Sequence, residues 1–193
     1  MENIKIKNKD FKVISQMGDN SYHASFKNKE YFVRVFENKS LFEEYLDKTM
    51  FVINNGVKHP RIKYKDKKAF IIAEEFVEGD VVLDLLIKDD LKDEVYSQLF
   101  KNNFLARMGK ISLDYDPINF LMGKDGALYY LSNSFKAYSD EESLTKKEIR
   151  LWFYTPEFVE YLKSKNLPID QSRVKTSFVL NKEIVLKTVK YYR

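Results

Sequence analysis

The chain has 193 residues and a formal net charge of +4, and 44% of its residues are hydrophobic, which is enough to build a core. It has no cysteine and only two histidines, so a disulfide framework and a thiolate zinc site are excluded and a histidine metal site is disfavoured. Basic and acidic residues are interspersed along the whole chain, and we therefore expect no nucleic-acid partner.

The first nine residues are polar and rich in lysine, without the apolar core of a signal peptide. No stretch of the sequence approaches the roughly 20 apolar residues that a membrane-spanning helix needs. We therefore expect a cytoplasmic protein without a membrane partner.

The first half of the chain has the pattern of strands. Short runs rich in β-branched and aromatic residues predict five of them, over 11–16, 22–27, 30–36, 61–64 and 69–75. A helix is predicted between the third and fourth strands, because Ser40 and Glu43 have the spacing of a capping box. The helix should end near Gly56.

From Val81 onward the pattern becomes helical. One predicted helix ends at Gly109 and buries a stripe made of four residues, Val95, Leu99, Leu105 and Met108. Two apolar runs around the turn 123–126 predict a hairpin, and a further helix is predicted over 156–164. The fold class is therefore α+β, with a β-rich lobe at 1–77 and a mostly helical lobe at 78–193, and a ligand cleft is expected between two such lobes.

One segment carries a chemical pattern, Asp114-Tyr115-Asp116-Pro117-Ile118-Asn119. Its aspartate and asparagine lie five positions apart, and in this it resembles the catalytic loop H-x-D-x-x-x-x-N of the protein-kinase-like superfamily. The resemblance implies that Asp114 is the catalytic base and that Asn119 binds magnesium on ATP. The alternative is a simple turn, because Asp, Pro and Asn are all turn formers.

Other segments follow in the order that the family has. The end of the second hairpin strand, 131–135, stands where the family has D-F-G, 154–157 resembles A-P-E, and 70–79 resembles the last small-lobe strand and the hinge. Upstream, 32–36 resembles the strand V-A-I-K. The resemblance thus implies a two-lobe kinase-like fold with an antiparallel β-rich small lobe and a truncated, mostly helical large lobe.

The resemblance also assigns residues to the nucleotide. Arg34 would hold the phosphates and pair with Glu44, or with Glu43 one position earlier. Its remaining assignments in this half are Gly18 in the phosphate-covering loop, Val33 packing over the base, and backbone groups of Glu75 and Val77 facing the adenine.

Several positions depart from the family. Arginine replaces the phosphate-binding lysine at Arg34, and Ser132 replaces the magnesium-binding aspartate, with Asn133 or Asp116 as the candidates to take over that role. We therefore predict a pseudokinase, a nucleotide-binding or scaffold module with weakened ATP and magnesium binding and a protein partner. The alternatives are an active ATP-dependent Ser/Thr kinase or small-molecule phosphotransferase that uses Asp114 as base, and an unrelated α+β domain.

Overall fold

The computed structural model describes residues 3–141, 143–174 and 177–191, so residues 1 and 193, the outer limits of the predicted lobes, lie outside it. The chain has an α+β fold, as predicted, and it forms two compact units. The first unit holds the residues up to Phe51 together with His59–Glu78. The second unit holds Val52–Lys58 and the residues from Gly79 onward. None of the helices within the described ranges is long and apolar enough to cross a bilayer.

The first unit is a six-stranded antiparallel sheet with one helix. Its elements are β1 (Asn3–Ile6), β2 (Lys9–Gly18), β3 (Ser21–Phe26), β4 (Lys29–Val35), α1 (Lys39–Asn54), β5 (Ile62–Asp66) and β6 (Ile71–Glu75). The strands lie in the order β1-β2-β3-β4-β6-β5. The five predicted strands and the helix are present. Strand β1 was not predicted, although Ile4 and Ile6 alternate with polar residues as a half-buried strand requires.

Helix α1 begins two residues earlier than predicted and has a different cap. The side-chain oxygen of Asn38 accepts the Leu41 N–H at 3.0 Å, so Asn38 caps the helix. The predicted capping box was wrong, because Ser40 already lies inside the first turn. The predicted end is confirmed, since α1 stops at Asn54 and Gly56 follows with a φ of 83°.

The two faces of the six-stranded sheet differ in what covers them. On one face, Phe11, Val33 and Ala73 have no exposed surface and form a core with other strand residues, which are Ile6, Ala24, Tyr31 and Ile71. On the other face, Ile72 packs against Phe42 and Tyr45 of α1. Because successive side chains of a strand point to opposite faces, these two sets come from alternate positions.

The second unit is mostly helical and contains two small antiparallel sheets. Its elements are β7 (Gly79–Val81), α2 (Val82–Lys88), α3 (Asp93–Met108), β8 (Ile111–Leu113), β9 (Phe120–Gly123), β10 (Leu128–Tyr130), β11 (Phe135–Ala137), α4 (Pro156–Ser164) and α5 (Ser177–Tyr191). The strand orders are β10-β9-β7 and β11-β8. The predicted hairpin is β9–β10, and α4 has the predicted bounds. Helix α5 was not predicted.

Helix α3 buries a different stripe from the one predicted. Val95 and Leu99 are buried, but Met108 is 70% exposed, so that part of the prediction was wrong. At about 100° per residue, Met108 lies on the far side of the helix from Val95. The buried face continues instead through Asn103 and Ala106, and the helix ends at Gly109 as predicted.

Candidate functional site

The predicted catalytic loop connects β8 to β9 in the second unit. Pro117–Asn119 forms one 3-10 turn, and the amide nitrogen of the Asn119 side chain donates to the Asp114 carbonyl at 3.4 Å. Asp114 itself is half-buried, and its Oδ1 accepts the Asp116 N–H at 3.3 Å. The two ends of the motif are therefore tied together, and Asp114 keeps an accessible carboxylate.

Hydrogen bonds with Asn103, Glu148 and Trp152 hold this loop through Tyr115. The Tyr115 ring has no exposed surface, and its hydroxyl donates to the Asn103 side chain at 3.0 Å. Its backbone N–H donates to Glu148 at 2.8 Å, and its carbonyl accepts the Trp152 indole N–H at 2.8 Å. Backbone groups of a buried loop need such partners, and here they come from the chain around 148–152.

Tyr130 joins the loop to the segment that resembles D-F-G. Its hydroxyl accepts the Asp114 N–H at 3.2 Å and donates to the Ser134 carbonyl at 2.5 Å. Burial is the main cause that raises the pKa of Tyr130 above its ordinary value, so the hydroxyl stays a donor. Leu113 also pairs with Phe135 where β8 meets β11. Segments some twenty positions apart are thus adjacent, and the sequence analysis did not identify Tyr130 as the link.

Asp116 has a structural role in the loop. Its Oδ1 accepts the Ile118 N–H at 3.1 Å, which caps the 3-10 turn, and the Tyr161 hydroxyl at 2.7 Å. Burial, followed by the hydrogen bond to Asp116, raises the pKa of Tyr161 above its ordinary value. The Oδ1 atom of Asp116 is therefore engaged within this unit, and a role of Asp116 as a metal ligand stays a prediction.

The residues present do not fit a magnesium ion. At the position of the missing aspartate, the Ser132 hydroxyl accepts the Ser134 N–H at 3.0 Å, and the neighbouring Asn133 makes no hydrogen bond with the described residues. Among the side chains that the structure describes, no three of His, Asp and Glu form a metal-binding group. Magnesium prefers anionic oxygen ligands, and the amides of Asn119 and Asn133 do not supply them.

In the first unit, Arg34 lies on the α1 face of the sheet and pairs with Glu74. Its Nε lies 3.5 Å from the Glu74 carboxylate, whose other oxygen accepts the Tyr45 hydroxyl at 2.7 Å. Burial, followed by the charge of Glu74, raises the pKa of Tyr45 above its ordinary value. Glu74 and Tyr45 were not among the predicted site residues. The sequence did indicate that Glu74 is unusual, because this charged residue directly follows the apolar residues 71–73 of a predicted strand.

The predicted pairing of Arg34 with a helix glutamate was wrong. Glu44 pairs with Lys48 at 2.6 Å and Glu43 with Lys39 at 3.5 Å, each four positions away along α1. Both glutamates are exposed, as is usual for charged residues on the solvent face of a helix. Arg34 instead finds its partner on the neighbouring strand β6.

Val33 and Arg34 cannot line the same pocket. They are consecutive in β4, so their side chains point to opposite faces of the sheet. Val33 has no exposed surface and packs into the sheet core with Phe11 and Ala73, so it offers no surface to an adenine ring. The residue that shares a face with Arg34 is Phe32, and its ring lies 4.5 Å from the guanidinium carbon.

The predicted hinge has one free backbone donor. The N–H groups of Glu75 and Phe76 donate to the carbonyls of Arg61 and Glu30, at 2.9 and 3.3 Å. The Val77 N–H donates to no group in the described part of the chain. Val77 is therefore the one member of this stretch whose N–H remains for a ligand.

Gly18 ends β2 and pairs with Ser21 across a two-residue turn. The positive φ of this turn belongs to Asn20, at 57°, and a Cβ added at Gly18 would meet nothing within 4 Å. The conformation of the turn therefore does not require glycine at this position, and its role in covering phosphate stays a prediction.

No protein-family model matches this chain, and no curated protein gives a significant match. The kinase-like resemblance therefore rests on the order of the motifs in the sequence.

Proposed function

We propose that the protein is a kinase-like, two-lobe pseudokinase, a module that binds a nucleotide or a protein partner and does not transfer phosphate. The observation that carries this proposal is the Tyr130 hydroxyl, which bonds both the Asp114 N–H and the Ser134 carbonyl. The pairing of β8 with β11 brings residue 114 next to residue 134, and the Tyr130 hydroxyl then bonds both segments. A phosphotransfer site requires this proximity, because the base and the metal ligands act on one nucleotide.

The loss of phosphate transfer follows from the charged groups. The aspartate expected to bind magnesium is Ser132, and its hydroxyl is engaged with the Ser134 N–H. The arginine expected to hold phosphate is paired with a buried carboxylate, Glu74. Metal and phosphate binding depend on these charges, whereas the loop around Asp114 is held by hydrogen bonds with Tyr130, Trp152 and Glu148 that do not involve them.

An active kinase or small-molecule phosphotransferase is the second candidate, and one observation favours it. Among the described residues, the half-buried Asp114 carboxylate accepts one weak hydrogen bond, from the Asp116 N–H at 3.3 Å, so one oxygen remains for a substrate hydroxyl. This candidate predicts transfer of radiolabelled γ-phosphate from magnesium-ATP, and Asp114→Asn would abolish the transfer.

Hydrogen exchange at the hinge tests nucleotide binding. ATP should slow exchange of the Val77 amide, because this N–H is free to donate to the adenine ring. The Glu75 and Phe76 amides should change little, since they already donate within the unit. If saturating ATP leaves exchange at Val77 unchanged, the nucleotide part of the proposal fails and a protein scaffold remains.

A further inference from the structure

A buried carboxylate occupies one side of the Arg34 guanidinium. The Glu74 side chain is only 3% exposed, whereas that of Arg34 is 31% exposed, and the Glu74 Oε2 lies 3.5 Å from the Arg34 Nε. The pair is therefore open to solvent only on the arginine side. A buried carboxylate without a cation or hydrogen bonds would be strongly unfavourable, so this contact stabilises Glu74 as much as it orients Arg34.

The position of Glu74 is fixed from two directions. Glu74 of β6 lies opposite Phe32 of β4, which precedes Arg34 by two positions. The three side chains therefore share one face of the sheet. The hydroxyl of Tyr45 on α1 donates to its Oε1 at 2.7 Å. Both oxygens are thus engaged, and the carboxylate cannot leave Arg34 unless a strand pairing or a buried hydrogen bond is broken.

Two aromatic rings orient the guanidinium independently of Glu74. The guanidinium carbon lies 4.5 Å from the centre of the Phe32 ring and 5.1 Å from that of Tyr45. Planar guanidinium groups stack on such rings. Its two terminal nitrogens donate no hydrogen bond to the residues that the structure describes. The outer edge of Arg34 therefore has the geometry to bind an oxyanion in a bidentate manner.

We propose that Glu74 is the specificity-determining residue that keeps the affinity of Arg34 for a triphosphate group low. This inference rests on the proposed function, because Arg34 is the predicted phosphate-binding group. The negative charge of Glu74 offsets the positive charge of the adjacent guanidinium and repels a polyanion that approaches Arg34. Because the Glu74 carboxylate is buried, solvent screens this repulsion weakly. The aromatic rings still hold the guanidinium, so removal of the carboxylate charge restores a cation with its outer edge free.

The test is a calorimetric titration of the full chain with inorganic triphosphate in the absence of magnesium. Glu74→Gln should bind triphosphate on the order of tenfold more tightly than the wild type, because one repelling charge is removed beside Arg34. Glu30→Gln is the matched control, because it removes the same charge from an exposed residue of strand β4, which carries Arg34. Its affinity should stay within about twofold of the wild type, since solvent screens exposed charges.

A double variant shows whether Arg34 contributes to triphosphate affinity while it is paired with Glu74. Arg34→Gln with Glu74→Gln removes a neutral pair and should leave triphosphate affinity within about twofold of the wild type. Loss of affinity in the double variant would show that Arg34 already binds phosphate and would overturn the inference. Unchanged affinity in a folded Glu74→Gln would also overturn it, since binding would then come from surface lysines. The probe has no adenine, so these outcomes are independent of hydrogen exchange at Val77.

Discussion

The two units hold their predicted site residues by different means. In the second unit, Asp114 lies in a loop fixed by a set of hydrogen bonds with Tyr130, Trp152, the Asn119 amide and the Glu148 carboxylate. In the first unit, Arg34 is held by a charge, the buried carboxylate of Glu74. The loop around the predicted base is thus held by several hydrogen bonds at once, whereas the predicted phosphate-binding group is held by one ion pair.

This difference gives different sensitivities to mutation. A neutral hydrogen bond contributes about 1 kcal/mol net, whereas loss of one partner of a buried ion pair leaves a charge without compensation. We therefore expect single substitutions to cost most stability around Glu74 and less around Asp114.

The largest effect is expected for Arg34→Gln. It leaves the Glu74 carboxylate, 3% exposed, without its cation and should lower the free energy of unfolding by about 3 kcal/mol. Urea denaturation followed by circular dichroism measures this loss. Lys48→Gln is the control, because it breaks an exposed pair with Glu44 and should cost less than about 0.5 kcal/mol. Equal effects of the two variants would mean that the Arg34–Glu74 contact is not a structural pair.

An intermediate effect is expected for Tyr130→Phe. The lost hydroxyl leaves the Asp114 N–H and the Ser134 carbonyl without their shared partner, at a cost of about 1–3 kcal/mol. The adjacent Tyr129→Phe removes a hydroxyl that bonds the exposed side chains of Asp125 and Lys58, and it should cost less. The same denaturation experiment compares them. A larger loss for Tyr129→Phe would contradict the assignment of Tyr130 as the link.

The smallest effect is a pH dependence within the first unit. Burial is the main cause that lowers the pKa of His59, whose Nε2 has no hydrogen-bond partner among the described residues. Below the ordinary histidine pKa of about 6.5, His59 therefore binds a proton more readily in the unfolded chain than in the folded one. The free energy of unfolding is consequently highest above that pH and falls below it. Urea denaturation between about pH 7.5 and about pH 5.5 should show a smaller fall in the free energy of unfolding for His59→Gln than for the wild type.

The control is His23→Asn, which changes the other histidine and should keep the fall in the free energy of unfolding. An equal fall in His59→Gln and the wild type would contradict this origin.

The sequence predicted the fold class, five strands and the hairpin, because these depend on local apolar periodicity and on turn residues. It did not predict the partner of Arg34, because Glu74 is distant in sequence and becomes a neighbour only through the pairing of β4 with β6. The Val33 assignment, in contrast, was avoidable. Strand alternation alone places Val33 and Arg34 on opposite faces of the sheet.

The candidate site in the second unit was predictable in part. The spacing from Asp114 to Asn119 indicated either a catalytic loop or a simple turn, and the segment forms a loop that the side chain of Asn119 closes. The bridging role of Tyr130 was not predictable, because periodicity marks a buried aromatic residue as core and does not show what its hydroxyl contacts.

Magnesium dependence of ATP binding is the most direct test of the proposed pseudokinase. In a calorimetric titration, the wild type should bind ATP with the same affinity with and without magnesium, because Ser132 supplies no anionic ligand. Ser132→Asp should bind ATP more tightly only when magnesium is present, since a carboxylate would again stand at that position. ATP binding by the wild type that tightens strongly with magnesium would contradict the proposal and favour an active kinase.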